Sequence, residues 1–360
     1  MITFILGNGF DIQMGLLTRY TDFYKVYTKI KDEDSENVKK FKNDILKGTD
    51  ESWKTWAEFE SQMGEYTSKF DGDDPSNDFL ECYEDFYVRF NAYLIKECER
   101  VDWNRDELSE CLQVFRDSIL FFHSYVNSVD RKFVSSMVDK DDAVNFLQFN
   151  YTNVFDDLLE RSSLVHITEG KRTYYSAIIG YNQNLHLHGQ FDGGHMTMGV
   201  DNLEQIANEE MRTDPMIQRI FVKPTFLDTI QERNVNEKIA RALGVDTINR
   251  STVICIFGSS IGSTDEYWWR TIGTWLRKSS GKVVIFDYCF DDGDEAEGHN
   301  PRVFIEFEEK KIKKKSEILK NFLKFSQLNE KWLSDNSERI IVELNSGTGI
   351  FNFKLPMLSD

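Results

Sequence analysis

Two hydrophobic patterns alternate along this chain. Ile2-Thr3-Phe4-Ile5-Leu6 is a short, nearly continuous apolar run closed by Gly7-Asn8-Gly9, the pattern of a strand buried on both faces and therefore central in a parallel sheet. The glycine loop then lies at that strand's carboxyl end. From about Thr18 to Val138 the spacing turns helical, with amphipathic segments at Tyr20 to Tyr27, Trp53 to Tyr66, Phe79 to Cys98 and Leu108 to Val126. These predict a helical insertion. Inside it, Asp71-Gly-Asp-Asp-Pro-Ser-Asn77 reads as a solvated connection, since the ligand spacing of a calcium loop is absent.

Strand-like runs return at Ala143 to Phe149, around Leu164 to Thr168, and at Ala177 to Ile179, Leu185 to His188, Met196 to Val200, Val253 to Phe257 and Val283 to Tyr288. Helical patterns separate several of them, at Asp156 to Arg161, Asn202 to Arg212, Ile230 to Leu243 and Tyr267 to Arg277. The alternation predicts an α/β, Rossmann-like fold: a mostly parallel sheet with covered faces and a large helical insertion after the first strand. The tail reads as a lysine-rich helix from about Glu308 to Phe325, a second short helix, a closing strand at Ile340 to Leu344, and a Gly347-Thr-Gly349 turn into Ile350 to Leu355. The expected organisation is a core of residues 1–17 and 142–295, an insertion of 18–141, and a C-terminal extension of 296–360 packed on the core. Lys310 to Lys315 stands beside Glu306, Glu308 and Glu309 and reads as a solvated face.

Composition narrows the function classes. With 360 residues, 40% hydrophobic and 14% aromatic, the chain can bury a large core without disulfides or metals. Its net charge of -18 repels phosphate backbones at long range and argues against DNA or RNA as the partner. A small anion still binds locally, because backbone N–H groups do not depend on net charge. The five cysteines contain no C-x-x-C pair, so neither a disulfide framework nor a zinc knuckle is expected, and a reducing cytoplasm is. No export signal or membrane segment is expected either, since no apolar run approaches the roughly 20 residues a bilayer requires.

Four strand ends carry the candidate chemistry. The first is Gly7-Asn8-Gly9-Phe10-Asp11 with Gly15. Glycines at 7 and 9 let a phosphate approach backbone N–H groups. The spacing is not G-x-G-x-x-G, no Gly-Lys-Ser/Thr is present, and no acidic ribose ligand follows about 20 residues on, which disfavours a standard dehydrogenase or P-loop ATPase. A plain tight turn is the alternative. The second is Gln148-Phe149-Asn150-Tyr151-Thr152-Asn153, where Asn150 and Thr152 fall at a strand's carboxyl end. Asn150 suits holding a water or sugar hydroxyl, with helix capping as the rival role.

The third is Leu185-His186-Leu187-His188-Gly189, where strand alternation predicts both histidines on one face. His188, last before the glycine, is the candidate general base. A structural histidine pair is one rival. Another is a metal held by His186 and His188 with Asp192, His195 or Asp201, but no third ligand has a characteristic spacing and no metal is expected. The fourth is Gly258-Ser259-Ser260-Ile261-Gly262-Ser263-Thr264-Asp265, which offers N–H groups and hydroxyls to a phosphate or ribose. Asp265 fits a helix cap equally well.

At these residues the chain resembles the bacteriophage abortive infection AbiH family. The resemblance rests on Leu6-Gly-Asn-Gly-Phe-Asp-Ile12, Gly15-Leu with Thr18-x-Tyr20-x-x-Phe23, Trp56-x-x-x-Glu60, Phe149-Asn-Tyr-Thr152, His186-x-His188-Gly189, and Phe257-Gly-Ser-Ser260 with Asp265-x-x-Trp268. The same order is distantly similar to SIR2-like NAD-binding proteins. That similarity implies a SIR2-like core with NAD as substrate or ligand. Gly7 and Gly9 would contact the pyrophosphate, Asn150 would position ribose or water, His188 would be the base, and Gly258 with Ser259 would face the ribose. Asn8, Phe10, Asp11, Thr152, Ser260 and Asp265 complete the implied cofactor-binding set, and Glu60 and His186 are additional candidates. The four-cysteine zinc module of the related deacylases has no counterpart here, so hydrolysis of NAD at the nicotinamide–ribose bond is expected over deacylation. The rivals are a non-catalytic NAD or ADP-ribose sensor and a metal-assisted phosphodiesterase or nuclease. Expected partners are NAD or a related nucleotide and a phage-derived trigger, with a homo-oligomer left open; neither nucleic acid nor membrane is expected.

Overall fold

The structure is a computed structural model, and it describes residues 1–47, 56–138, 142–162, 164, 178–191, 195–224, 235–288, 301–345 and 349–358. Six strands form one sheet: β1 (Ile2–Leu6), β2 (Asp142–Gln148), β3 (Ile178–His186), β4 (Val253–Phe257), β5 (Lys282–Tyr288) and β6 (Ile340–Asn345). Their order is β3-β2-β1-β4-β5-β6, and every pairing is parallel. The α/β, Rossmann-like class is therefore realised.

The central strands are central because their sequences leave no polar face. Every residue of β1 and β4 is buried. Phe4 and Leu6 face one core with Phe146, Cys255 and Phe257, while Ile5 faces the other with Leu147, Ile254 and Ile256. Thr3, the one polar residue of β1, shares a 2.7 Å hydrogen bond with the Ser251 hydroxyl. This satisfies a group that would otherwise be orphaned in the core.

Helices cover both faces. Leu108–Leu120 and Val154–Arg161 bury Phe115, Ile119, Phe155 and Leu158 on one side. Glu266–Lys278 and Pro301–Ser326 bury Trp269, Ile272, Trp275 and Phe322 on the other. The long connection from β1 to β2 divides by what it packs on. Tyr20 to Leu94 builds a separate aromatic core with Tyr151 and residues of the 196–222 stretch, whereas Leu108 to Val134 packs on the sheet. In the Asp71 to Asn77 loop, Asp74 caps the helix Pro75–Glu99 by accepting from the Asn77 N–H at 3.2 Å, and Pro75 opens it.

Four expected elements differ. Asn202 to Arg212 is not one helix: Leu203–Gln205 is a single 3₁₀ turn, and an α-helix begins only at Glu209. Ile178 and Ile179 of one expected run and Leu185 and His186 of the next belong to one nine-residue strand, β3, and Ala177 lies outside the described residues. Met196 to Val200 is buried and apolar but has no ladder beyond a single bridge from Val200 to Val222. Ile350 to Leu355 forms no strand; Phe351 turns at φ 55° and is buried with Ile350 in the sheet core. The run at Leu164 to Thr168 lies outside the described residues apart from Leu164, as does the turn at Gly347 apart from Gly349. Among the described residues Cys82, Cys98, Cys111 and Cys255 are free thiols, and no helix is long and apolar enough to cross a membrane.

The strand order places β1 beside β4, the point where the chain switches from building one side of the sheet to building the other. Ligands of open α/β sheets bind in the crevice beyond the carboxyl ends of the strands at such a point.

Candidate functional site

The loops after β1 and β4 meet there, backbone against backbone. Gly7 donates its N–H to Phe257 O at 3.0 Å, and Gly9 donates to Gly258 O at 2.7 Å. A Cβ on Gly9 would stand 2.5 Å from Gly258 Cα, and one on Gly7 would stand 2.5 Å from Ser259 Cα. Gly258 itself has φ 62°. The three glycines are thus demanded by the approach of the two loops. Asn8 ties the turn to the next segment, accepting from the Thr18 hydroxyl at 2.6 Å and donating to Thr18 O at 3.1 Å. Phe10 is a core residue, packed edge-on against Phe155 and Phe351.

A cavity of about 210 Å³ opens over this seam. Gly7, Asn8, Gly9, Gly258, Ser259 and Ser260 form its floor, and Phe149, Tyr151, His188, Asp265, Glu60 and Arg19 stand around it. A second cavity of about 640 Å³ shares Gly9, Gly258, Ser259 and Ser260 with the first and runs over the end of β5 to Asp287, Tyr288 and Lys314. The two are chambers of one cleft, joined at the glycine–serine seam.

The inner chamber holds a buried charge network. His188 Nε2 lies 3.0 Å from Asp265 Oδ1, and its ring stacks on Phe149 at 4.7 Å between centroids. Lys223 Nζ donates to the same Asp265 oxygen at 3.0 Å, to Glu60 Oε2 at 2.8 Å and to Thr264 O at 3.0 Å. Tyr151 donates its hydroxyl to Thr197 O at 3.0 Å. Burial alone would raise the Asp265 pKa, but the charges of Lys223 and His188 hold it well below the usual carboxylate range. Burial would likewise depress Lys223, and the two carboxylates reverse that and raise it. Glu60 is raised, by burial first and by Asp265 in addition, against the pull of Lys223. Two carboxylates compete for one ammonium, and Asp265 keeps the ionised form more firmly.

Of the sequence candidates, Gly7, Asn8, Gly9, Gly258, Ser259, Ser260, Glu60, His188 and Asp265 converge on this cavity. Asn150, Thr152 and Asp11 converge on one another instead. Asn150 donates from Nδ2 to Asp11 Oδ1 at 3.1 Å, and Thr152 donates its hydroxyl to Asp11 Oδ2 at 2.7 Å. All three are buried, and they join the loops after β1 and β2.

His186 and His188 do not share a face. The ladder between β2 and β3 ends at Gln148 and His186, so alternation no longer governs His188, which lies just before the turn at Gly189 (φ 73°). His186 sits with Asp156 at 2.9 Å and Gln190 at 2.7 Å, away from the partners of His188. The pair therefore does not converge on a shared ion. Asp192 lies outside the described residues.

The network's cation, Lys223, was not legible in Phe221-Val-Lys-Pro224, which carries no motif. Arg19 occupies an unspecified position of Thr18-x-Tyr20. Tyr151 and Phe149 stood inside a quoted motif without a role.

Burial raises the Asp11 pKa from 3.8 to about 7, against the hydrogen bonds from Thr152 and Asn150. The folded chain then binds more protons than the unfolded chain between those values, so this group's contribution to stability falls as pH rises from about 4 to about 7. The full effect is on the order of 4 kcal/mol. Asp11→Asn should flatten that part of the stability profile in urea unfolding between pH 4 and 8; a variant with the wild-type slope would assign the titration to another group.

A family model described as bacteriophage abortive infection AbiH matches residues 3–287, from within β1 to within β5. No curated protein matches the chain.

Proposed function

The chain belongs to the bacteriophage abortive infection AbiH family, and from that premise we propose that it acts in phage defence by hydrolysing NAD at the nicotinamide–ribose bond. The observation that carries this reading is the His188–Asp265 pair, 3.0 Å apart, facing one cavity with the loops after β1 and β4. Nicotinamide riboside occupies the inner chamber in this reading, and adenosine occupies the outer one. The bond from C1′ to the pyridinium nitrogen breaks with its electron pair going to nicotinamide, which leaves neutral and needs little acid assistance. The site must instead stabilise an oxocarbenium-like centre and deliver water to it.

His188 is suited to the second task. Donating from Nε2 to Asp265 fixes the tautomer whose Nδ1 carries the lone pair, and Nδ1 takes the proton as the water oxygen bonds to C1′. The ionised Asp265 then balances the imidazolium. Its charge also favours the cationic centre, while Phe149 and Tyr151 supply apolar walls that restrict water.

The test is nicotinamide release from NAD by the purified protein, alone and with extract from phage-infected cells. Release in either condition is expected. NAD left intact in both, with NAD bound, would favour a nucleotide sensor over an enzyme.

A further inference from the structure

The glycine turn is the candidate phosphate cradle by sequence, yet three of its amides have other partners. Gly7, Gly9 and Phe10 donate to Phe257 O, Gly258 O and Gly7 O respectively. Those three N–H groups are not free to meet a phosphate at the seam, which gives more of its recognition to side chains. Lys223 is buried behind the wall and saturated by Glu60, Asp265 and Thr264 O. Arg19 is different: it is exposed, it lines the inner chamber beside Gly7, Asn8 and Gly9, and its guanidinium has no partner among the described residues.

Its place is fixed by its neighbours. The Thr18 hydroxyl donates to Asn8 Oδ1 at 2.6 Å, the Leu17 N–H donates to Glu97 Oε2 at 3.2 Å, and the Tyr93 hydroxyl donates to Leu17 O at 2.6 Å. The backbone leading to Arg19 is thereby held between the glycine turn and the helix Pro75–Glu99. Charge points the same way. Glu60 and Asp265 line the chamber and share one lysine, so without Arg19 its wall is net negative when both are ionised and repels a phosphate. With Arg19 the chamber carries acidic groups and, beside the glycine turn, a cation that is unpaired among the described residues.

We infer that Arg19 is the residue that recognises the pyrophosphate bridge, and that it makes the cleft selective for pyrophosphate-linked dinucleotides over nucleosides. This rests on the reading that the cleft takes NAD. A guanidinium offers paired N–H donors matched to phosphate oxygens, and the hydroxyls of half-buried Ser259 and exposed Ser260 across the seam add donors of their own.

Isothermal titration of NAD and of ADP-ribose into wild type, Arg19→Gln and Arg19→Lys tests the inference, with the unliganded melting temperature of each as a control. Arg19→Gln should melt with the wild type and bind both ligands at least tenfold more weakly, and Arg19→Lys should fall between. Wild-type affinity in Arg19→Gln, a loss that tracks a lowered melting temperature, or no binding of either ligand to wild type would each overturn it. NAD that binds through Arg19 without being hydrolysed would leave this inference standing and remove the enzymatic reading alone.

Discussion

Lys223→Met should destabilise the folded protein by about 3–5 kcal/mol, the usual result of removing one partner from a buried ion pair. Lys223 is almost wholly enclosed, and its ammonium makes three hydrogen bonds, two of them to carboxylates that are themselves buried. Methionine fills a similar volume but leaves Glu60 and Asp265 facing each other without a cation. One must then take up a proton, and Glu60, whose pKa burial already raises, is the group that yields. The effect reaches beyond the chamber, because Glu60 belongs to the helix Trp56–Tyr66 and Asp265 follows β4. Lys223 therefore fastens the helical insertion to the sheet. Urea unfolding of Lys223→Met and of the double variant Lys223→Met, Glu60→Gln measures this. The double variant should recover part of the loss, since the carboxylate most easily orphaned is gone. A single-variant loss under about 1 kcal/mol would mean that the pair is effectively solvated.

His188→Gln should lower nicotinamide release by about 10²- to 10⁴-fold, the range general-base catalysis supplies. Glutamine retains a donor for Asp265 and enough bulk to cover Phe149, so NAD affinity should stay within a few-fold of wild type. The loss then falls on turnover and not on binding. Equilibrium binding and single-turnover nicotinamide release, measured on the same preparations, separate the two. Full turnover in a variant that melts with the wild type would remove His188 from the chemistry.

What the sequence disclosed follows the range of the interactions involved. The central strands were legible because β1 and β4 are buried on both faces and their apolar runs admit little else. β3 is an edge strand whose middle reads Tyr181-Asn-Gln-Asn184, and those polar residues split one strand into two apparent pieces. Met196 to Val200 shows the converse: an apolar run is buried against the insertion without joining a sheet. Gly7 and Gly9 stand out in the sequence as positions where a phosphate can approach the backbone, and Gly258 as one that would face a ribose; all three also exclude a side chain. What excludes it, however, is the other loop, some 250 residues away along the chain, and no local pattern contains that contact. His186 and His188 were paired by an alternation that ends with the ladder at His186. Lys223 and Arg19 were missed for one reason: a lone cation acquires meaning only from the carboxylates or the cavity that tertiary packing brings to it.

The account depends on the cleft over β1 and β4 being where a dinucleotide sits. A crystal structure of the protein with NAD tests this most directly. Density for the nicotinamide end beside His188 and Asp265, for the pyrophosphate between Arg19 and Ser259, and for adenosine toward Asp287 and Lys314 is the predicted result. NAD ordered on any other surface of the molecule, with this cleft holding only water, would contradict it.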